Sequence, residues 1–523
     1  MTDQPNILVI MSDQHHAEVM GCAGDPVVET PGLDRLAARG ARLSNLYCQA
    51  PLCAPSRASF LTGMMPSDNG VVSNNQLFDL THPTFAHSAG AAGYRPELIG
   101  KMHVLGIDQL FGFTARQIGD HGPNFPGLGN RKPRSGGGAA PVQRGQLHGA
   151  AGPSLDSLSK SGIGHHAYYT RDALVAEATE SAIRQHDIER RSGGDPHPFF
   201  LTMGFLLPHQ PYVATREDYE KYEGRVGLPR RPWPDAPSDD HAFLRWWRDA
   251  TGLDRIHGGV PEEVILRART AYWGMVDRMD QLITRVLDTL DELGLTENTL
   301  IIYTSDHGDH VGEHGLWWKQ TLLEPSVKVP GIISWPGVVP EQVTSDRVCG
   351  LVDVTETIVA AAGGPALPRS VGRDLVPMLR GEDPDFADLT LSEHCADVNQ
   401  GAGLGPAKVD RPYYQRMVRQ GRWKYVDHAD LPAQLFDVVA DPDETTDVSA
   451  DPANSAVVAE LAAIARDGWD PELVRAETQT DIAETALFAD WAVETGYVDQ
   501  HRWQMKAAYN TLEGTPYDFV LDD

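Results

Sequence analysis

The sequence predicts an α/β fold: a large mixed, mostly parallel sheet flanked by helices, then a small C-terminal antiparallel sheet with a helix and an extended tail. Recurring patterns point to it. Short apolar runs rich in β-branched residues recur as far as Trp335, as buried parallel strands do. Helical patterns with a repeating apolar face lie between those runs, the alternation of an α/β core. Past residue 385 the chain changes to short strand-like pieces separated by turns, the signature of an antiparallel sheet.

Taken in order, Asn6–Ser12 (NILVIMS) reads as a buried strand ending at Asp13. Phe199–Phe205 is another, followed by Pro208-His209. Thr299–Ser305 (TLIIYTS) repeats the pattern and ends at Asp306, and Gly331–Trp335 is a further run. Arg171–Arg190 has Ala, Leu and Ile on a repeating face. Pro261–Leu293 is the longest helical pattern, with Pro at its start and Gly294 after its end. Residues His121–Gly164 are rich in Gly, Pro and Ser, including Ser135-Gly136-Gly137-Gly138, and contain one Phe (Phe125) and no Trp. They read as a long loop near the mouth of an active site.

The core finishes near Gly372–Gly381. Leu389–Glu393, Tyr414–Arg419, Arg422–Val426 and Gln434–Val438 then suggest the small sheet, with a helix from Asn454 to Asp467. The tail Ile482–Asp523 carries Phe488, Trp491, Tyr497, Trp503, Tyr509 and Tyr517. So many aromatics call for cover, from the same subunit or a neighbouring one. The expected division is a catalytic domain over 1–385, an α+β subdomain over 386–475 and an aromatic-rich tail over 476–523 that serves oligomerisation or covers the active site.

Composition bounds the function. Of 523 residues, 41% are hydrophobic and 22% charged, ordinary for a soluble globular chain. The first residues lack a basic leader pattern, and Ile7–Met11 is too short for a signal or membrane helix. A cytoplasmic protein with no membrane partner is expected. The five cysteines (Cys22, Cys48, Cys53, Cys349, Cys395) contain no Cys-x-x-Cys pair, which argues against a disulfide framework or a structural zinc site. The net charge of −29 argues against nucleic acid as a partner. It would also repel an anionic substrate, so a pocket for one must be locally positive.

Asp13 and Asp306-His307 sit just past apolar runs, where open α/β sheets bind ligands. Carboxylate oxygens suit a hard divalent cation, and a His shifts the preference toward manganese. A separate zinc cluster of His307, His310, His314 and Glu313 is disfavoured by the glycines that interrupt the segment.

The stretch Cys53-Ala54-Pro55-Ser56-Arg57 resembles the type I sulfatase signature, in which a Cys precedes x-Pro-Ser-Arg. Gly100-Lys101-Met102-His103 resembles the end of the second signature of that family. Pro208-His209-Gln210-Pro211, Ser305-Asp306-His307-Gly308 and Gly312–Lys319 match its later motifs, and Asn6–Gln14 its opening strand. The resemblance to sulfatases, within the alkaline phosphatase superfamily, covers nearly the whole chain. Asp13-Gln14 and Asp306-His307 place it nearest the choline sulfatase and phosphonate monoester hydrolase branch, whose members tend to be oligomers with C-terminal extensions.

That resemblance implies an alkaline-phosphatase-like fold and a sulfuric ester hydrolase. It implies that a formylglycine-generating enzyme oxidises Cys53 to formylglycine (3-oxoalanine), which hydrates to a geminal diol. Asp13, Gln14, Asp306 and His307 would hold one divalent ion, Ca²⁺, Mn²⁺ or Mg²⁺. Arg57 would orient the diol, and Lys101 and Lys319 would grip sulfate oxygens. His209 would do so too, or protonate the leaving oxygen, and His103 would take the second diol proton. The substrate would be a small sulfated organic molecule, and the assembly a homodimer or homotetramer. A phosphonate monoester or phosphodiester hydrolase on the same site is the alternative, and a catalytically silent anion-binding relative a further one.

Overall fold

The run Asn6–Ser12 is a strand buried along its whole length in the interior of a nine-stranded sheet. The protein is described here by a computed structural model covering residues 4–124, 144–194, 197–231, 240–396 and 413–522. The strands of the sheet run in the order Val343–Gly350, Ala41–Tyr47, Gly331–Ser334, Thr299–Ser305, Asn6–Ser12, Phe200–Gly204, Pro96–Gly100 and Ala115–Gln117, with Lys328–Val329 paired beside Ala41–Tyr47. Asn6–Ser12 lies parallel to both its neighbours, while Gly331–Ser334 runs antiparallel to its own. The sheet is thus mixed and mostly parallel.

Side chains of a strand alternate between faces, and each face here has its own helical cover. Ile7, Val9 and Met11 belong to one core with Ala58 and Leu61 of helix Cys53–Thr62 and Ile358 of helix Leu351–Ala362. Leu8 and Ile10 belong to the other, with Val175 of helix Ala167–Arg191 and Met279 and Ile283 of helix Glu262–Leu293. A strand covered on both faces must be apolar throughout, which is why NILVIMS shows no polar alternation. Pro261 is the N-cap of the long helix, and Gly294, with φ of 66°, closes its C-terminus.

Leu389–Ala396, Tyr413–Gln420, Trp423–His428 and Gln434–Asp437 form an antiparallel four-stranded sheet in chain order. Helix Ser455–Arg466 packs Leu461 and Ala465 on Val418, Tyr425 and Leu435. Helix Pro471–Thr495 follows and runs unbroken through residues 475 and 476. Asp470 caps it by accepting from the amides of Glu472 and Leu473, as an N-cap acid does.

The stretch read as a long loop contains order that the sequence concealed. Leu155–Ser159 is a short helix and Gly162–His165 a strand. That strand pairs with Val213–Ala214 and with Thr511–Leu512 of the tail. Its partners lie far away in sequence, so no local periodicity announced it. Residues 125–143, including Phe125 and Ser135–Gly138, lie outside the described residues.

Beyond Gly496 the tail returns over its own subunit. The Trp503 amide donates to the Asp120 carbonyl at 2.9 Å, and the Tyr517 amide to that of Ser159 at 2.8 Å. Trp503 and Tyr509 pack on the core beside Ile118, and Tyr517 packs on another cluster. Phe488 and Trp491 remain 41% and 43% exposed. Among the described residues, no helix is long and apolar enough to cross a membrane.

Candidate active site

Parallel pairing of Asn6–Ser12 with Thr299–Ser305 sets Ser12 opposite Ser305. The next residues, Asp13 and Asp306, therefore leave the sheet side by side at the C-terminal ends of the strands. Lys101 follows Pro96–Gly100, whose neighbour Phe200–Gly204 leads to His209. Gly100 and Gly204 are opposite each other, and a Cβ on Gly204 would meet the Lys101 carbonyl at 2.0 Å. Glycine at this position lets the two backbones approach and carries Lys101 to the centre.

Cys53 opens helix Cys53–Thr62, which is buried along its length, and Arg57 lies one turn later on the same face. The Arg57 guanidinium gathers the strand ends. Nε donates to Asp306 Oδ2 at 2.8 Å, Nη1 to the Lys101 carbonyl at 3.1 Å and Nη2 to the Ser12 carbonyl at 3.1 Å. Nη2 also lies 3.5 Å from Asp13 Oδ2. Arg57 is thus committed to the two carboxylates and the backbone, and its side chain is fully buried.

Asp13, Cys53, Asp306 and His307 each place one ligand atom so that all lie within 4.8 Å of one another, and this is the metal-ligand group found among the described residues. His310 and His314 are not part of it. His307 Nδ1 lies 2.9 Å from the Gly308 carbonyl and so carries the proton there. Nε2 then presents its lone pair to the cluster, 3.2 Å from Cys53 Sγ. Gln14 Oε1 is buried and has no hydrogen-bond partner in the protein. Two carboxylates and an imidazole lone pair converge, the next residue after Asp13 carries an orphaned amide oxygen, and this donor set fits a hard or borderline divalent cation.

The basic groups lie against that cluster. Lys319 Nζ donates to Cys53 Sγ at 3.0 Å, and Lys101 Nζ donates to Asp13 Oδ2. His209 Nε2 is 4.0 Å from Asp13 Oδ1, with Nδ1 against the Gln210 carbonyl. His103 and His209 lie beside the Cys53 sulfur, and His103 helps to lower its pKa. Burial pushes the Cys53 thiol up, but Lys101, Lys319 and His307 hold it well below the usual thiol range. Burial likewise raises Asp13, and Lys101, His209 and Lys319 outweigh it, holding the carboxyl well below the usual carboxylate range. Burial together with Lys319 lowers His209. The centre gathers three cations, Arg57, Lys101 and Lys319, in a chain whose net charge is −29.

The structure thus gathers nine of the sequence-proposed residues, Asp13, Gln14, Cys53, Arg57, Lys101, His209, Asp306, His307 and Lys319, in one buried centre, with His103 half-buried at its edge. It adds residues the sequence did not single out. Asp309 accepts from Gln14 Nε2 at 2.6 Å and from the Tyr212 hydroxyl at 2.8 Å. Burial raises its pKa to about 6. Asn74 Oδ1 accepts from the Ala54 amide at 2.9 Å, beside the helix start. Asp120 Oδ2 accepts from the His103 amide at 2.9 Å and from Arg116 at 2.6 Å. Asp309 directly follows the Ser305–Gly308 motif and could have been noticed there. Asp120 and Asn74 carry no motif and are found only through the fold.

A buried sulfur, paired carboxylates and lysines at the C-terminal ends of a mostly parallel sheet define a hydrolase of the alkaline phosphatase type. The chain belongs to the sulfatase family, whose model matches residues 5–364. A second model, for the C-terminal region of N-sulphoglucosamine sulphohydrolase, matches residues 312–467. The choline-sulfatase of Rhizobium meliloti (strain 1021) is 34% identical over 485 residues, covering 90% of this chain and 88% of the relative. A multifunctional alkaline phosphatase superfamily protein of Trinickia caryophylli is 28% identical, covering 87% and 93%. Among solved structures, the phosphonate monoester hydrolase of Agrobacterium radiobacter superposes with a TM-score of 0.68 at 24% identity, covering 91% of this chain and 96% of that one. That likeness is one of fold.

Proposed function

We propose that the protein hydrolyses a sulfate monoester of a small organic alcohol, using a nucleophile derived from Cys53 and one divalent cation held by Asp13, Gln14, Asp306 and His307. The observation that carries this reading is the convergence of Cys53 with Asp13, Asp306 and His307 within 4.8 Å. A relative named choline-sulfatase at 34% identity supports the sulfate ester as substrate class.

A cation bound there supplies Lewis-acid polarisation of the ester oxygens. Oxidation of Cys53 to formylglycine by a formylglycine-generating enzyme, followed by hydration to the geminal diol, would supply a hydroxyl nucleophile in place of the thiol. This chain's side chains do the rest. Lys101 and Lys319 reach the position-53 centre with their ammonium groups and bind the sulfate oxygens. Their charge offsets the repulsion of an anion by the acidic surface, and it complements charge moving toward the leaving oxygen. His209 presents Nε2 to the same space and, once the bound anion draws a proton onto that nitrogen, contacts a sulfate oxygen or protonates the departing alcohol. His103, beside position 53, withdraws a proton there as sulfate is released. Arg57 keeps both carboxylates oriented by holding them from behind.

The test is tandem mass spectrometry of the tryptic peptide Leu43–Arg57 from protein co-expressed with a formylglycine-generating enzyme, with fragments that separate Cys53 from Cys48. Formylglycine at 53, with sulfate release that a chelator abolishes, is expected. An intact thiol in fully active protein would overturn the nucleophile. A phosphonate monoester or phosphodiester hydrolase on the same site is the competing reading, favoured by the multifunctional relative at 28% identity. Much faster cleavage of an aryl phosphonate or phosphodiester than of the aryl sulfate would establish it.

A further inference from the structure

The Gln14 amide is fixed from several sides. Its φ is 64°, a left-handed conformation uncommon for a residue with a side chain. The backbone is held there by two bonds: its amide donates to Asp306 Oδ1 at 3.1 Å, and its carbonyl accepts from the Tyr272 hydroxyl at 2.7 Å. The side chain is fully buried. Nε2 has two hydrogens, and both have acceptors at 2.6 Å, Asp309 Oδ2 and Gln210 Oε1. Oε1 has none.

A buried amide could be turned over to exchange its oxygen and nitrogen. Asp309 decides which way it faces. An ionised carboxylate only accepts, so the NH₂ must point to it and the oxygen away. Asp309 is itself held by donors, with Val311 N at 2.9 Å on Oδ1 and the Tyr212 hydroxyl at 2.8 Å on Oδ2. Gln210 is oriented in turn through Nε2, which donates to the Ala151 carbonyl at 3.2 Å. An orphaned buried amide oxygen costs free energy unless something binds it, and the cluster of Asp13, Asp306 and His307 provides a reason for it.

We propose that Asp309 is a positioning residue that locks the Gln14 amide with its oxygen toward the cation site. This rests on the metal-dependent reading above. Groups behind a ligand that set its orientation change metal affinity by about 10–100-fold when removed. Asp309→Asn keeps the shape and, with its oxygen retained by the Val311 amide, turns an NH₂ toward Gln14 in place of a carboxylate oxygen. The new amide then lets Gln14 turn over and present NH₂ groups to the cation.

The experiment is a double-mutant cycle on metal affinity, read by calorimetric titration of metal-free protein with Mn²⁺ and with Ca²⁺. Wild type, Asp309→Asn, Gln14→Ala and the double variant are compared, with circular dichroism reporting the fold. The expected result is a loss of about 10–100-fold for Asp309→Asn, most of which disappears in the Gln14→Ala background. An equal loss in both backgrounds means that Asp309 acts through its charge alone, and overturns the proposal. No loss in either also overturns it. A wild type that binds neither ion defeats the metal-dependent reading instead. A crystal structure of wild type grown with Mn²⁺ gives an answer independent of variant folding. Gln14 Oε1 on the ion and Nε2 on Asp309 are expected, and a Gln14 side chain turned away from the ion overturns the inference.

Discussion

The floor of the active site and its rim are built in different ways. The floor consists of Asp13, Cys53, Arg57, Asp306 and His307, all buried, on the ends of paired strands and the first turns of one helix. The rim contains His103, half-buried and with φ of 54°, held by Asp120 from a loop. That loop is held by the C-terminal tail. Asp499 accepts from the Asn124 amide at 3.1 Å, Arg502 donates to the His121 carbonyl at 3.3 Å, and the Trp503 amide donates to the Asp120 carbonyl. Register within a sheet fixes the floor, whereas the rim depends on contacts between segments some 380 residues apart in the chain. Floor changes should therefore abolish chemistry, and rim changes should degrade it.

The largest effect expected is from Cys53→Ala. Turnover of an aryl sulfate should fall by roughly six orders of magnitude, as when a nucleophile is removed elsewhere, with circular dichroism unchanged. Retained turnover would remove position 53 from the mechanism and with it the distinction between floor and rim.

A smaller effect is expected at the rim from Gly119→Ala. Its added Cβ would lie 1.8 Å from the His501 carbonyl oxygen, a backbone atom that cannot swing aside, so the tail must shift off the loop. We expect kcat/KM to fall by about 10–100-fold, the scale of an ångström-sized misplacement, with Mn²⁺ affinity at the floor unchanged. Wild-type kcat/KM in this variant would show that the tail covers the loop without positioning it.

The smallest effect is one of stability with pH. Burial would raise the Asp120 carboxyl, but Arg116 and His103 outweigh it and hold it well below the usual carboxylate range. A depressed folded-state pKa stabilises the fold above the unfolded pKa and ceases to as pH falls through the folded value. Asp120→Asn should therefore lower Tm by several degrees at pH 7, and the gap to wild type should narrow from pH 5 to pH 3. A constant gap would mean that shape rather than charge at Asp120 supports His103.

The floor was legible in the sequence because its residues lie in contiguous motifs at the ends of apolar runs. NILVIMS-Asp13 and TLIIYTS-Asp306 announce a strand and the acid beyond it in one glance, and Cys53 and Arg57 share a helical turn. The rim was not legible. Asp120 lies in a stretch whose composition suggested only a loop, and the strand Gly162–His165 is held by Val213–Ala214 and Thr511–Leu512. The tail aromatics showed that something needed cover. Which surface Trp503 and Tyr517 would cover was open until the fold placed them on their own subunit.

By itself, the sequence determined the α/β order of elements, the acids past the strand ends and the family motifs around Cys53. These are local: periodicity and composition fix strands and helices, and contiguous motifs need only a few bonds of chain between their members. Tertiary structure alone decided that Arg57 is spent on Asp13 and Asp306, that Asp309 faces Gln14, and that Asp120 and the tail support His103. Each of those depends on hydrogen-bond partners supplied by distant segments. A buried polar group is satisfied by whatever the fold brings within about 3 Å of it, and sequence spacing does not record that distance.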